Sequence, residues 1–100
     1  MKIAHCLFTM ETGGSQILAV ELLNELCRAH EVSLVIINNK YNESLLEQLD
    51  KRVKVYFIKR NEGSKNPLPI IKLNWVLGRM NPDIIHCHEP KLAKIVKWKL

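Results

Sequence analysis

Most of the features that would assign this chain a chemistry at sight are missing from it. Its 100 residues include only three cysteines, an odd number with no Cys-x-x-Cys spacing, so no disulfide framework is indicated and reduced thiols in a cytoplasmic protein are expected. No apolar run reaches the about 18 residues needed to cross a bilayer. The amino-terminal residues carry a single lysine, a short strand-like run and then Glu11, without a small-residue cleavage site, so no secretion signal is read. Neither G-x-G-x-x-G nor G-x-x-x-x-G-K-S/T occurs, which removes a dinucleotide fingerprint and a Walker phosphate loop. There is no internal repeat, no low-complexity segment, and no Ser-His-Asp or Cys-His constellation.

What is present describes a folded α/β domain. Hydrophobic residues make up 47% and charged residues 25%, far from the composition of disordered chains. A net charge of +5 favours anionic partners: sugar nucleotides, phospholipid headgroups or nucleic acid. The basic residues are scattered until Lys91, Lys94, Lys97 and Lys99 gather on one predicted helix. That helix is either a solvated face or a contact with an anionic membrane surface.

Four runs read as strands: Lys2 to Phe8, Val32 to Ile37, Val53 to Ile58 and Asp83 to Cys87. They are nearly continuous in Ile, Val and Leu, as expected for a parallel sheet covered on both faces. Helical patterns separate them. In the first, Leu18, Leu22 and Leu26 recur every four residues, with Ala19 and Leu23 widening the stripe and Ser15 as the N-cap. The second is short, capped by Asn42, with Leu45, Leu46 and Leu49 inward. Pro67 and Pro69 fit the first turn of the third, which stops at Asn81-Pro82. Pro90 opens a fourth, with Leu92, Ile95 and Val96 packing. The order βαβαβαβα implies a doubly wound, Rossmann-like half-sheet with strands in the order 3-2-1-4 and helices on both faces.

In that order strands one and four are neighbours, and ligands bind outside their carboxyl ends, where the winding reverses. Two polar turns converge there. Gly13 and Gly14 lead into the first helix, so backbone N–H groups at a positive helix end are open to a phosphate; a tight turn that binds nothing explains them equally well. Gln16, one turn into the helix, is within reach of the same ligand. The segment His86-Cys87-His88-Glu89-Pro90 follows strand four. His88 is placed to hydrogen-bond a sugar hydroxyl or share charge with a leaving phosphate, or else to tie the loop down. His86 and His5 read as buried and hydrogen-bonded within the sheet. Alternation sends Cys87 to the face opposite the two histidines, so no metal is expected. Cys6 and Cys87 lie on adjacent strands, and Glu11 is the other acid near the crevice.

Lys2-Ile3-Ala4-His5 leading to Phe8-Thr9-Met10-Glu11-Thr12-Gly13-Gly14-Ser15-Gln16, then Arg28-Ala29-His30-Glu31-Val32, then Asn81-Pro82-Asp83-Ile84-Ile85-His86-Cys87-His88-Glu89-Pro90, resembles the start of the N-terminal domain of family-four retaining glycosyltransferases of the GT-B architecture. The resemblance implies an acceptor-side domain over residues 1–100 of an enzyme moving a sugar from a nucleotide-sugar donor to a glycan or lipid-linked acceptor. It implies that Gly13 and Gly14, with Gln16 and Glu89, lie beside the donor and that His88 contacts the donor sugar at the reaction centre. No cofactor is implied, since the nucleotide sugar is the substrate. The implied location is cytoplasmic, peripheral at the inner membrane face, in cell-envelope polysaccharide synthesis, with no nucleic-acid partner. Ala29 stands where the family commonly has glycine before His30-Glu31-Val32.

The same resemblance implies a longer domain and a second Rossmann domain carrying two glutamates eight residues apart, a spacing that no pair here has. The chain is therefore expected to be a fragment, inert alone because transfer needs donor and acceptor held across a cleft. Two other classes fit the bare pattern: a noncatalytic half-Rossmann interaction module, and a small nucleotide-binding regulator complete at four strands. Strand four is a sheet edge in this chain, and such an edge pairs readily with another molecule. Sedimentation velocity should accordingly show self-association; a monodisperse monomer would count against a truncated sheet.

Overall fold

A computed structural model describes residues 1–8, 14–39, 41–61 and 66–87. Their elements run β1 (Lys2–Leu7), α1 (Gly14–Leu26), β2 (Glu31–Asn38), α2 (Glu43–Leu46), β3 (Lys54–Arg60), α3 (Leu68–Met80) and β4 (Ile84–Cys87). The four strands form one sheet in the order β3-β2-β1-β4, and every pairing is parallel. The expected half of a doubly wound sheet is what forms.

The near-continuous apolar runs are explained by two-sided cover. Ile3 to Leu7 of β1 and Val32 to Asn38 of β2 are all buried, so neither strand has a solvent face to mark with polar residues. On one face Leu7, Val32, Leu34 and Ile36 pack with Ala19, Val20 and Leu23 of α1, with Cys27 just beyond its end, and with Leu45 of α2. On the other, Ala4, Cys6, Val35, Ile37 and Ile58 pack with Leu73 and Leu77 of α3. The edge strands are thinner: β3 buries only Ile58, and no residue of β4 is fully buried.

Local chemistry sets the element ends. Asn42 caps α2, its Oδ1 accepting from the backbone N–H of Ser44 at 2.9 Å and Leu45 at 3.3 Å. Pro67 occupies the N-cap position of α3, with proline again in the first turn, where a missing N–H is harmless. The helix ends on Asn81 in the left-handed region at φ 49, its N–H returning to the Leu77 carbonyl, a role asparagine takes after glycine. Between α2 and β3, Arg52 donates to both oxygens of Asp50, through Nε at 3.1 Å and Nη2 at 3.0 Å. This hydrogen bonding pulls the Asp50 carboxyl down to about 2. Asn24 ties that turn to α1, accepting from Asp50 N at 2.7 Å and donating to the Gln48 carbonyl at 2.8 Å.

Two helix readings need correction. The buried stripe of α1 is Ala19, Val20 and Leu23, continued by Cys27 just beyond its end, whereas Leu18 is 65% and Leu22 40% exposed. The Leu18-Leu22-Leu26 line is displaced from the buried one by a single residue, about 100° around the helix. A leucine line and the neighbouring mixed line have the same period, so periodicity alone does not choose between them. Ser15 lies inside α1, which already begins at Gly14, and so does not precede it as a cap. Pro90, the fourth helix and its four lysines lie outside the described residues. Among those described, no helix is long and apolar enough to cross a membrane.

Leu77 is fully buried under α3, so Leu77→Ala should lower unfolding free energy by about 2–5 kcal/mol. The exposed Leu18→Ala should cost less than about 0.5 kcal/mol. Urea denaturation of the two variants checks both the magnitude and the corrected face.

Candidate functional site

The site is defined by where the chain leaves the sheet. β4 pairs with β1 through Ile3↔Ile84, Ala4↔Ile85, His5↔His86 and Cys6↔Cys87. Leu7 and Cys87 therefore end neighbouring strands at the same end of the sheet. The amino ends are fastened too: the Asp83 N–H donates to the Lys2 carbonyl at 2.8 Å, and the Lys2 N–H donates to Asp83 Oδ2 at 2.8 Å. This reciprocal pair makes Asp83, at the start of the strand, a register lock between β4 and β1.

Of the predicted contact residues, Gly14 opens α1 and Gln16 stands half-buried in its first turn. Gly13, Glu11, His88 and Glu89 lie outside the described residues. The backbone N–H groups of the first turn of α1 have no intrahelical acceptor, as at any helix start, and they lie at the positive end of a helix of 13 residues.

The histidines before the crevice differ from one another. His5 is buried at 1% exposure, as expected, but His86 is exposed. The expectation of a buried His86 fails because β4 is the sheet edge, where less protein covers the face that alternation gives it. The two rings meet at 5.0 Å between centroids with a tilt of 46°. Cys6 and Cys87 are register partners and remain thiols. Among the described residues, no three of His, Cys, Asp or Glu gather as a ligand set for a metal.

The sequence reading missed a polar rim on the carboxyl ends of β2 and β3. Asn38 is 95% buried, at 5% exposure; its side-chain oxygen accepts from Arg60 Nη1 at 2.8 Å, and its N–H donates to the Phe8 carbonyl at 2.7 Å. Asn39 N donates to the Arg60 carbonyl at 2.9 Å, and Asn39 Nδ2 donates to Asn61 Oδ1 at 2.9 Å. A bulge creates this arrangement: between Ile36 and Asn38 the β2–β3 register slips, and Lys59 takes φ 61, which turns Arg60 toward Asn38. The available signal was Asn38-Asn39 closing the apolar run Leu34 to Ile37. The rim sets an amide and a guanidinium beside the exit of β1, so two neighbouring strand ends contribute polar side chains at one mouth.

A winding reversal flanked by a glycine-led helix start and polar strand ends defines a doubly wound α/β protein. The family described as Glycosyltransferase Family 4 matches residues 12–99, and the chain belongs to that family. No curated protein and no solved structure matches it.

Asp83→Ala removes the carboxylate half of the β1–β4 lock. Because the pair is exposed, a loss of about 1 kcal/mol is expected, with faster amide exchange at Lys2 and Ile84 than at Val35. Hydrogen exchange read by NMR checks this, and uniform protection across the sheet would refute the lock.

Proposed function

We propose that this chain is the opening part of the acceptor-side N-terminal domain of a retaining GT-B glycosyltransferase, which moves a sugar from a nucleotide donor to a glycan or lipid-linked acceptor. The single observation supporting this reading is the β1–β4 pairing, which sets the carboxyl ends of β1 and β4 side by side in a chain of this family. The N–H groups at the start of α1, reached past Gly13 and Gly14, would receive the negative charge that grows on the leaving diphosphate. That interaction strengthens as the bond breaks and so lowers the barrier. His88 would hold a hydroxyl of the donor sugar at the reacting carbon, with Gln16 and Glu89 orienting the donor and Glu11 the acceptor. The second domain would bring the nucleotide across the cleft, so the 100 residues alone transfer nothing. The protein would work in the cytoplasm, peripherally at the inner membrane face.

The test is sugar transfer by the complete reading frame containing these residues, assayed over a panel of nucleotide sugars and lipid-linked acceptors. His88→Ala should lower kcat by about 100-fold or more, and Gly14→Val should raise the KM for the donor. Unchanged turnover in His88→Ala would refute the assignment, as would a frame ending at Leu100 with no partner chain carrying a second α/β domain. Tight binding of a mononucleotide by the isolated chain would favour a nucleotide-binding regulator.

A further inference from the structure

We propose that a hollow beneath the last turn of α3, at the end of the sheet opposite the crevice, binds a phosphate ester carried on an apolar or aromatic group. This does not rest on the sugar-transfer reading. The hollow encloses about 210 Å³ and is lined by Lys2, Ser33, Lys54, Tyr56, Arg79 and Met80, among others. Its strand residues all occur at the amino ends of β1, β2 and β3. Alternation puts Lys2 on the side of Ala4 and Cys6, Ser33 on that of Val35 and Ile37, and Lys54 beside Tyr56. That is the face covered by α3.

Its charge is one-sided. Three cations line it against one carboxylate, Glu31, and Glu31 Oε1 is engaged by Lys54 Nζ at 3.3 Å. The Lys2 ammonium and the Arg79 guanidinium are left in excess, and Arg79 also balances the negative carboxyl end of α3. Two hydroxyls add to this. Ser33, 93% buried at 7% exposure, and the half-buried Tyr56 each place a hydroxyl-bearing side chain on the lining. A hydroxyl can donate to an oxyanion, and such a charge-assisted bond is stronger than one between neutral groups. An oxyanion can accept from both hydroxyls and both spare cations, and a guanidinium fork suits two phosphate oxygens at once.

The apolar part of the ligand is indicated by a second hollow of about 270 Å³ that shares the Tyr56, Arg79 and Met80 walls and adds Trp75 and Val76. Trp75 is 61% exposed, with Arg79 Cζ 5.1 Å from its ring centroid, so the guanidinium is already held at the junction of the two hollows. The polar hollow is smaller than the roughly 300 Å³ at which sites for drug-sized ligands begin, so it suits a phosphate group, not an entire nucleotide sugar. A soluble aryl phosphate and the headgroup of an anionic phospholipid share this chemistry. The exposed Leu68 and Ile71 extend the apolar ridge on which acyl chains would lie.

Isothermal titration of the full chain with phenyl phosphate tests the site, alongside co-sedimentation with phosphatidylglycerol vesicles. Saturable binding is expected, weakened about tenfold or more by Arg79→Gln and by Ser33→Ala and unaffected by Lys72→Gln, a cation on the same helix outside the hollow. Benzyl alcohol, which keeps the ring without the charge, should not bind. Vesicle binding displaced by phenyl phosphate identifies the lipid source, and phenyl phosphate binding without vesicle binding identifies a soluble ester. Circular dichroism reports whether Ser33→Ala folds, and the exposed Arg79→Gln decides the matter if it does not. No saturable phenyl phosphate binding by folded chain, or binding indifferent to Arg79→Gln, overturns the proposal. Neither result bears on turnover through His88.

Discussion

The parallel pairing of β4 with β1 is the constraint on which the rest of this molecule depends. Without it, β1, β2 and β3 would be a singly wound sheet with helices on one face. With it, α3 must cross the opposite face to reach β4, because a right-handed connection permits no other route. That crossing buries Leu73 and Leu77 against Ala4, Cys6, Val35 and Ile37, and it places the exits of β1 and β4 side by side. Asp83 and Lys2 fasten the pair at its amino end by exchanging two hydrogen bonds. Four register pairs are a short ladder, so a lock at its start carries more weight here than it would in the longer β1–β2 pairing.

The same topology creates two unlike ends. At the carboxyl end, strand exits, a helix start and the Asn38–Arg60 contact surround the position where the family's chemistry is proposed. At the amino end, the last turn of α3 overhangs Lys2, Ser33 and Tyr56 and leaves a cationic hollow with two hydroxyls turned toward it. A sheet wound to both sides has helix starts at one mouth and helix ends at the other. At the first, helix-start N–H groups are the donors an anion would meet, whereas at the second the donors are side chains such as Arg79.

Much of the architecture was legible because its signals are local or combinatorial. Nearly continuous apolar runs in β1 and β2 required cover on both faces, Asn42 announced a helix start, and Asn81-Pro82 announced a helix end. The alternation of strands and helices, with the handedness rule, then left few strand orders to consider. The failures share one origin. Leu18 and Leu22 have the period of a core stripe, yet the adjacent line Ala19, Leu23 and Cys27 faces the sheet. His86 occupies a buried-looking position on an edge strand. In each case the sequence carries a periodicity without a phase, and the phase is set by which neighbour arrives.

The amino-acid sequence determined the class of fold and the order of the described elements, since propensity, capping and hydrophobic period are written residue by residue. Tertiary structure alone decided the buried line of α1, the exposure of His86, the bulge that joins Arg60 to Asn38, and the gathering of Lys2, Ser33, Tyr56 and Arg79 around one hollow. Those residues come from four different elements, far apart in the chain. Only the register of a parallel sheet and the angle of the helix crossing it bring such groups within reach of a single ligand.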